Sequence, residues 1–136
     1  MSEENKAIIR RAFEEIGSKG NIAFTEQLFA ADFVRHDLTG GPDMDREAMK
    51  AFLLANRAAF PDAKSTVEDI VAEGNKVVVR YTSRGTHQGE FMGMAPTGKV
   101  IVYCGINIYL LSQGKIKETW QLADRMSIMW QTGALH

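Results

Sequence analysis

The stretch Val100-Ile-Val-Tyr-Cys-Gly-Ile-Asn-Ile-Tyr-Leu-Leu-Ser112, then Gln113-Gly114, then Lys115-Ile-Lys-Glu-Thr-Trp-Gln-Leu-Ala-Asp124, decides the fold. Two long β-rich runs flank a short turn that contains a glycine, which is a hairpin signature. Side chains along a strand alternate between its faces. Ile116, Glu118, Trp120, Leu122 and Asp124 therefore share one face, and Lys117, Thr119, Gln121 and Ala123 share the other. The first set holds three large apolar residues and is expected to be covered. The second is mostly polar and is expected to meet water. With Gln113 and Gly114 in the turn, Ser112 opposes Lys115. Trp120 then faces Asn107, Asp124 faces Tyr103, and Glu118 faces Tyr109. A carboxylate on a covered face is costly unless it is paired or keeps its proton. Two of them there point to a lined cavity with a chemical task rather than to a closed core. A change of one residue in the register would turn the first strand over and dissolve this constellation.

Outward from the hairpin, the rest of the chain is helix first and strand afterwards. Ser2 caps a first helix whose apolar stripe is Ile8, Ala12, Phe13 and Ile16, and Gly17 and Gly20 mark its end. Asn21 caps a shorter helix with Phe24, Leu28 and Phe29 that stops near Asp32. A short extended run, Phe33–Asp37, leads into the breakers Gly40-Gly41-Pro42. Asp45 caps a third helix with the stripe Met49, Phe52, Leu53, Asn56 and Phe60, stopped by Pro61. Strands are expected over Ser65–Glu73 and Val77–His87, joined at Gly74-Asn75. Ile70, Ala72, Val77, Val79, Tyr81 and His87 fall on their covered face. Arg125–Thr132 reads as a short tail, helical in pattern. Helices followed by a run of antiparallel strands indicate an α+β fold, with three N-terminal helices packed on a curved, mostly antiparallel sheet. Helices on one face of such a sheet close a cone whose open end is a natural ligand pocket.

The 136 residues make one domain, 1–136, with an ordinary globular composition of 45% hydrophobic and 24% charged residues. The net charge of −1 gives no footprint for nucleic acid or for a membrane surface. No apolar run approaches the roughly 20 residues of a membrane helix. The N-terminus lacks the basic-then-apolar order of a signal peptide. The single Cys104 forms no internal disulfide, so a reducing, cytoplasmic setting is the simplest expectation, with Cys104 itself a small buried hydrophobe.

Four segments resemble the SnoaL-like polyketide and ester cyclases. They are Gly85-Thr-His-Gln-Gly-Glu-Phe-Met-Gly-Met-Ala-Pro-Thr-Gly-Lys99, Gly114-Lys-Ile-Lys-Glu-Thr-Trp120 with the following Asp124, Asp32-Phe-Val-Arg-His-Asp37, and Ala58-Ala-Phe-Pro-Asp62. The similarity covers nearly the whole chain, in the family's order. The resemblance implies the cone-shaped α+β barrel of the nuclear-transport-factor-2-like superfamily and a homodimer formed through the sheet. It also implies ring closure by intramolecular aldol condensation without metal or cofactor. By position in the motif, Asp124 takes the acid/base role, and His36, His87 and Trp120 line the pocket. Tyr81, Tyr103 and Asn107 stand where relatives are expected to vary, so the substrate does not carry over.

Proton abstraction beside a carbonyl needs a base with a pKa near working pH and a donor for the developing enolate oxygen. Asp124 on an apolar wall would have its pKa raised by desolvation and suit the first task; otherwise it caps the tail at Arg125. His36 and His87 are candidates for proton shuttling or oxyanion donation. Glu118 lies roughly 20 Å from Asp124 along an extended strand, too far for a close dyad, and serves to orient a His or Tyr or to pair with an arginine. Tyr81, Phe91, Tyr103, Asn107, Glu118 and Trp120 are the expected substrate-binding set. Phe91, Met92 and Met94 give the loop Gln88–Lys99 an apolar tip suited to covering a ligand. Neither a metal nor a cofactor is expected, because no histidine pair has ligand spacing. Gly93–Lys99 has the letters of a phosphate loop, but Val100 stands where Ser or Thr is required, and a strand follows it in place of a helix. The sequence leaves three readings: a cofactor-independent enzyme acting on a small apolar carbonyl compound, a non-catalytic ligand cup, and an oligomeric interaction module.

Overall fold

A computed structural model describes residues 2–133. The chain begins with α1 (Ser2–Ala12), which continues into a π-helical turn over Phe13–Ser18. A 3₁₀ turn (Ile22–Phe24) and α2 (Thr25–Leu28) lead to β1 (Phe29–Asp37) and the short β2 (Met44–Asp45). Then come α3 (Arg46–Ala59), β3 (Lys64–Glu73), β4 (Lys76–Thr86), β5 (Val100–Ser112), β6 (Lys115–Ala123) and α4 (Arg125–Thr132). The strands form one curved, unclosed sheet in the order β2-β1-β6-β5-β4-β3. Only the β1–β6 pairing is parallel. This is the expected α+β cone.

Asp45 caps α3 as its residue type predicts, with its carboxylate accepting from the Ala48 N–H at 2.8 Å. Gln113 and Gly114 both have positive φ, the geometry that matches a tight turn to the twist of its strands. Ile9 and Ile16 from the first helical segment, and Met49 from α3, pack against Val77, Val79, Tyr109, Leu111 and Ile116 on the concave face. Ile9, Val77, Val79 and Ile116 are wholly buried. The faces expected for β4 and β5 are the faces found: Tyr81, Asn107 and Tyr109 point inward, and Arg80, Arg84 and Ile106 point outward.

Three expectations are corrected. The second helix stops at Leu28, and Phe29–Asp32 is strand. Phe29 and Phe33, four apart, look helical because β1 is irregular between Phe29 and Val34, which leaves both aromatics inside with ring centroids 4.8 Å apart. The second correction matters more. Ser112 does oppose Lys115, but Leu111 pairs with Ile116 and Leu110 with Glu118. Lys117 is an extra residue, a β-bulge. Beyond it the alternation is inverted, so that Trp120 faces Ile108 and Gln121 faces Asn107. Thr119 is buried and Leu122 exposed, the reverse of the expectation. The bulge in β6 lies beside the irregularity in β1. Cys104 is likewise exposed rather than buried, since its strand neighbours Tyr103 and Gly105 take the inward face.

Candidate functional site

The concave face and the helices over it enclose two adjoining lobes of about 160 Å³ each. Phe52, Leu53, Asn56, Tyr103 and Gln121 border both. The first lobe is completed by Phe60, Phe91, Ile101, Arg125 and Ile128. The second is completed by Phe29, Phe33, Arg35, Tyr81, Asn107 and Thr119. Its polar wall is a band running across neighbouring strands: Arg35 pairs in register with Thr119, and Asn107 with Gln121.

The tyrosines are the cavity's most perturbed groups. Burial raises the Tyr81 phenol well above its ordinary range, with Tyr103 and Tyr109 adding to the effect. Burial also raises Tyr103, against the neighbouring Ser83 hydroxyl, which pulls the other way. Tyr109 is pushed up to about 12 by burial, although it accepts a hydrogen bond from Asn107 Nδ2 at 2.9 Å. All three therefore stay protonated at neutral pH, as donors and not as bases. The backbone makes room for one of them. A Cβ on Gly105 would stand 2.5 Å from the Tyr81 hydroxyl oxygen, so only glycine leaves that phenol its place.

Arg35 is the buried cation of the second lobe, 3% exposed. Its Nε donates to Gln121 Oε1 at 2.7 Å, and its guanidinium carbon lies 4.8 Å from the centre of the Phe52 ring. Burial pulls its pKa down, with Asp37 acting in the opposite sense, but a guanidinium keeps its proton in proteins. Arg125, at the first lobe, donates to Asp37 Oδ2 at 2.6 Å. Burial by itself would raise the Asp37 carboxyl; the Thr39 hydroxyl and N–H, with Arg125 and Arg35, hold it below the usual carboxylate range.

Of the residues singled out from sequence, Tyr81, Tyr103 and Asn107 line the second lobe, and Phe91 and Tyr103 the first. Glu118, Trp120 and Asp124 lie outside both, because the bulge at Lys117 turns that face of β6 outward. The Asp124 carboxylate caps α4, accepting from the Ser127 N–H at 3.0 Å, and the residue is exposed. It borders an open hollow of about 570 Å³ on the outer face, with Cys104, Ile106, Leu122 and Met126. His36 is also corrected: Phe33 and Arg35 take the inward positions of β1, and the imidazole points outward. There Nε2 meets Glu118 Oε2 at 2.5 Å, Nδ1 meets Asp43 Oδ1 at 3.1 Å, and the ring stacks on Trp120 at 5.5 Å. The Glu118 carboxylate raises the His36 pKa most, and Asp43 adds to it. His87 is fully buried but lines neither lobe; it lies against Phe60 and beside the Thr97 hydroxyl. Sequence reading missed Arg35, Thr119 and Gln121. Arg35 was within reach, two residues after a core phenylalanine on a strand. Nothing in the sequence marks the bulge that brings in the other two.

The similarity to known proteins follows the same architecture. The candidate polyketide cyclase IdmH of Streptomyces antibioticus is 31% identical, over 95% of this chain and 98% of that one, with a TM-score of 0.83. AclR, a candidate hydroxylase of Streptomyces galilaeus, is 25% identical over 98% of both chains, with a TM-score of 0.90. A SnoaL-like protein of a Jannaschia species, at 22% identity and a TM-score of 0.89, shares the fold. No curated protein matches the sequence significantly. The family model described as SnoaL-like polyketide cyclase matches residues 7–132, and the chain belongs to that family.

Proposed function

We propose that the cavity binds a small, largely apolar carbonyl compound and promotes its enolate chemistry, as aldol-type ring closure or a related isomerisation, without a cofactor. One observation carries this reading: Tyr103 stands between the two lobes, with its phenol kept protonated by burial. A neutral phenol in a dry site is a fixed donor for the oxygen on which charge develops. The aromatic walls hold a flexible ligand folded on itself, which lowers the entropic cost of ring closure. Membership of a polyketide cyclase family agrees with it. A compound activated by two carbonyls gives up its proton readily to water, so the protein's part is orientation and oxyanion stabilisation.

The test is solvent deuterium exchange between the carbonyls, followed by NMR over a panel of small cyclic and aromatic 1,3-diketones. The protein is expected to accelerate exchange for some of them. Tyr103→Phe should slow it by about 10²–10³-fold, the usual cost of one oxyanion donor. Exchange no faster than in buffer would sink the catalytic reading. A second reading, a ligand cup without turnover, is favoured by one specific observation: among the described residues, no Asp, Glu or His lines either lobe. It predicts ketone binding, seen as a rise in melting temperature, with no exchange.

We also propose that the outer face of the sheet forms a homodimer. Val102, Ile106, Leu122, Met126 and Trp130 are exposed on it and on α4. Light scattering should give twice the chain mass, and Ile106→Glu should return the monomer. A monomeric parent protein would dismiss the dimer.

A further inference from the structure

Arg35, Thr119 and Asn107 stand on three different strands, line the same lobe, and are 3%, 4% and 7% exposed. Each leaves one polar atom without a partner: Nη2 of Arg35, Oγ1 of Thr119 and Oδ1 of Asn107. Buried polar atoms are almost always bonded, so three orphans on residues that line one lobe mark a place shaped for something else. The other two guanidinium nitrogens each bond a neutral group. Nε bonds Gln121, Nη1 meets Met44 Sδ at 3.3 Å, and the face lies on Phe52. Asp37, two residues on in the same strand, is committed to Arg125 and to Thr39. Among the described residues, Arg35 has no ion-pair partner. The Asp37 carboxylate acts on Arg35 only from beyond contact distance, and a buried charge with no counter-charge in contact is unfavourable, so a protein that keeps one has a use for it.

We infer that this lobe takes the carboxylate of a small hydroxy acid, with Arg35 as its counter-ion. The inference rests on reading the cavity as a small-molecule site, and it specifies the ligand as an acid where an ester or plain ketone would leave the guanidinium unpaired. Nη2–H donates to one carboxylate oxygen, a charge-assisted bond of the kind arginine makes best. The Thr119 hydroxyl donates to the other. The Asn107 amide donates through Nδ2 to the Tyr109 hydroxyl, which leaves Oδ1 as an acceptor, so the ligand presents a hydroxyl to it. Phe29, Phe33 and Tyr81 surround the remainder, which is therefore apolar or aromatic. The carbonyl on which the Tyr103 phenol acts lies at the junction with the first lobe.

The experiment uses the full chain and a matched pair of probes, salicylate and methyl salicylate, titrated by calorimetry. Salicylate is expected to bind at least about tenfold more tightly than the ester, the usual worth of a charge-assisted hydrogen bond. Arg35→Met should remove that preference by weakening salicylate about 10- to 100-fold and leaving the ester unchanged. Its melting temperature should hold or rise, because an apolar side chain replaces an unpaired charge. Asn107→Asp is the second variant. It places a carboxylate in the lobe, so it should expel salicylate and spare the ester. Equal binding of acid and ester, or full salicylate binding by Arg35→Met, would overturn the inference. If ketones bind but salicylate does not, the acid assignment falls and the cavity reading stands. If neither binds, both fall.

Discussion

Strands β1 and β6 present two faces of opposite chemistry. The inner face carries Arg35, Thr119 and Gln121, a buried cation among neutral groups. The outer face carries His36, Glu118 and Trp120, an imidazole bonded to a carboxylate and stacked on an indole. The two sets interleave one residue at a time along the same backbone. The inner set is sealed and leaves bonds unmade; the outer set is half-open and makes its bonds within the chain. The difference shows where a ligand has something to gain. Solvent offers the outer histidine and glutamate an alternative to each other, whereas the inner guanidinium has no alternative to a ligand. Titratable residues close together in sequence are thus poor guides to the site; the unsatisfied ones are better.

What separates the two faces is one residue, so the strongest way to break the comparison is to change the count. Deleting Thr119 should bring Trp120 and Leu122 inward and send Gln121 out, burying large side chains where the cavity is. Since folded domains are stable by only about 5–15 kcal/mol, cooperative unfolding should be lost altogether. Deleting Lys117 removes the bulge residue and leaves Thr119, Gln121 and Ala123 facing in. That variant should still melt cooperatively, losing little beyond the bond from Lys117 Nζ to Asp32. Thermal melts of the pair check this. Similar behaviour of both deletions would mean that the bulge does not set the faces.

The same residue explains how much was legible beforehand. The α+β architecture, the Asp45 cap, the hairpin turn and the faces of β4 and β5 follow from alternation and turn chemistry, which act locally. Tyr81, Tyr103 and Asn107 fall on the inner face as expected because β5 carries no extra residue and its register with β4 is unbroken. The face of β6 was inverted because a bulge carries no residue signature. Lys117 is as ordinary as its neighbours, and the irregular stretch of β1 lies directly beside it. The pattern Ile116, Trp120, Leu122 looked like a buried face, and its second half is an exposed apolar one.

Asp124 tests the assignment of roles at a smaller scale. With its carboxylate on the Ser127 N–H, Asp124→Ala should cost about 1 kcal/mol as a lost helix cap, and Asp124→Asn only a few tenths. Neither should alter deuterium exchange or ligand affinity in the cavity. Exchange abolished by Asp124→Asn at an unchanged melting temperature would return the acid/base role to this residue and place the chemistry at the end of β6.

The smallest effect belongs to the outer pair. Glu118, with Asp43, raises the His36 pKa above its ordinary 6.5. A group whose folded pKa is raised adds stability below its unfolded pKa and loses it as pH rises through the folded value. The contribution should therefore be complete below the ordinary value of 6.5 and be lost as pH rises through the raised one. It should amount to less than about 1 kcal/mol, because both side chains reach solvent. Glu118→Gln should bring the His36 titration in NMR back toward 6.5 and flatten the melting temperature against pH. The cavity should not respond, since the imidazole lies on the far side of β1 from Arg35. A change in ligand affinity with His36 protonation would mean that the two faces communicate through the strands. The separation of an outer, self-satisfied face from an inner, ligand-seeking one would then have to be given up.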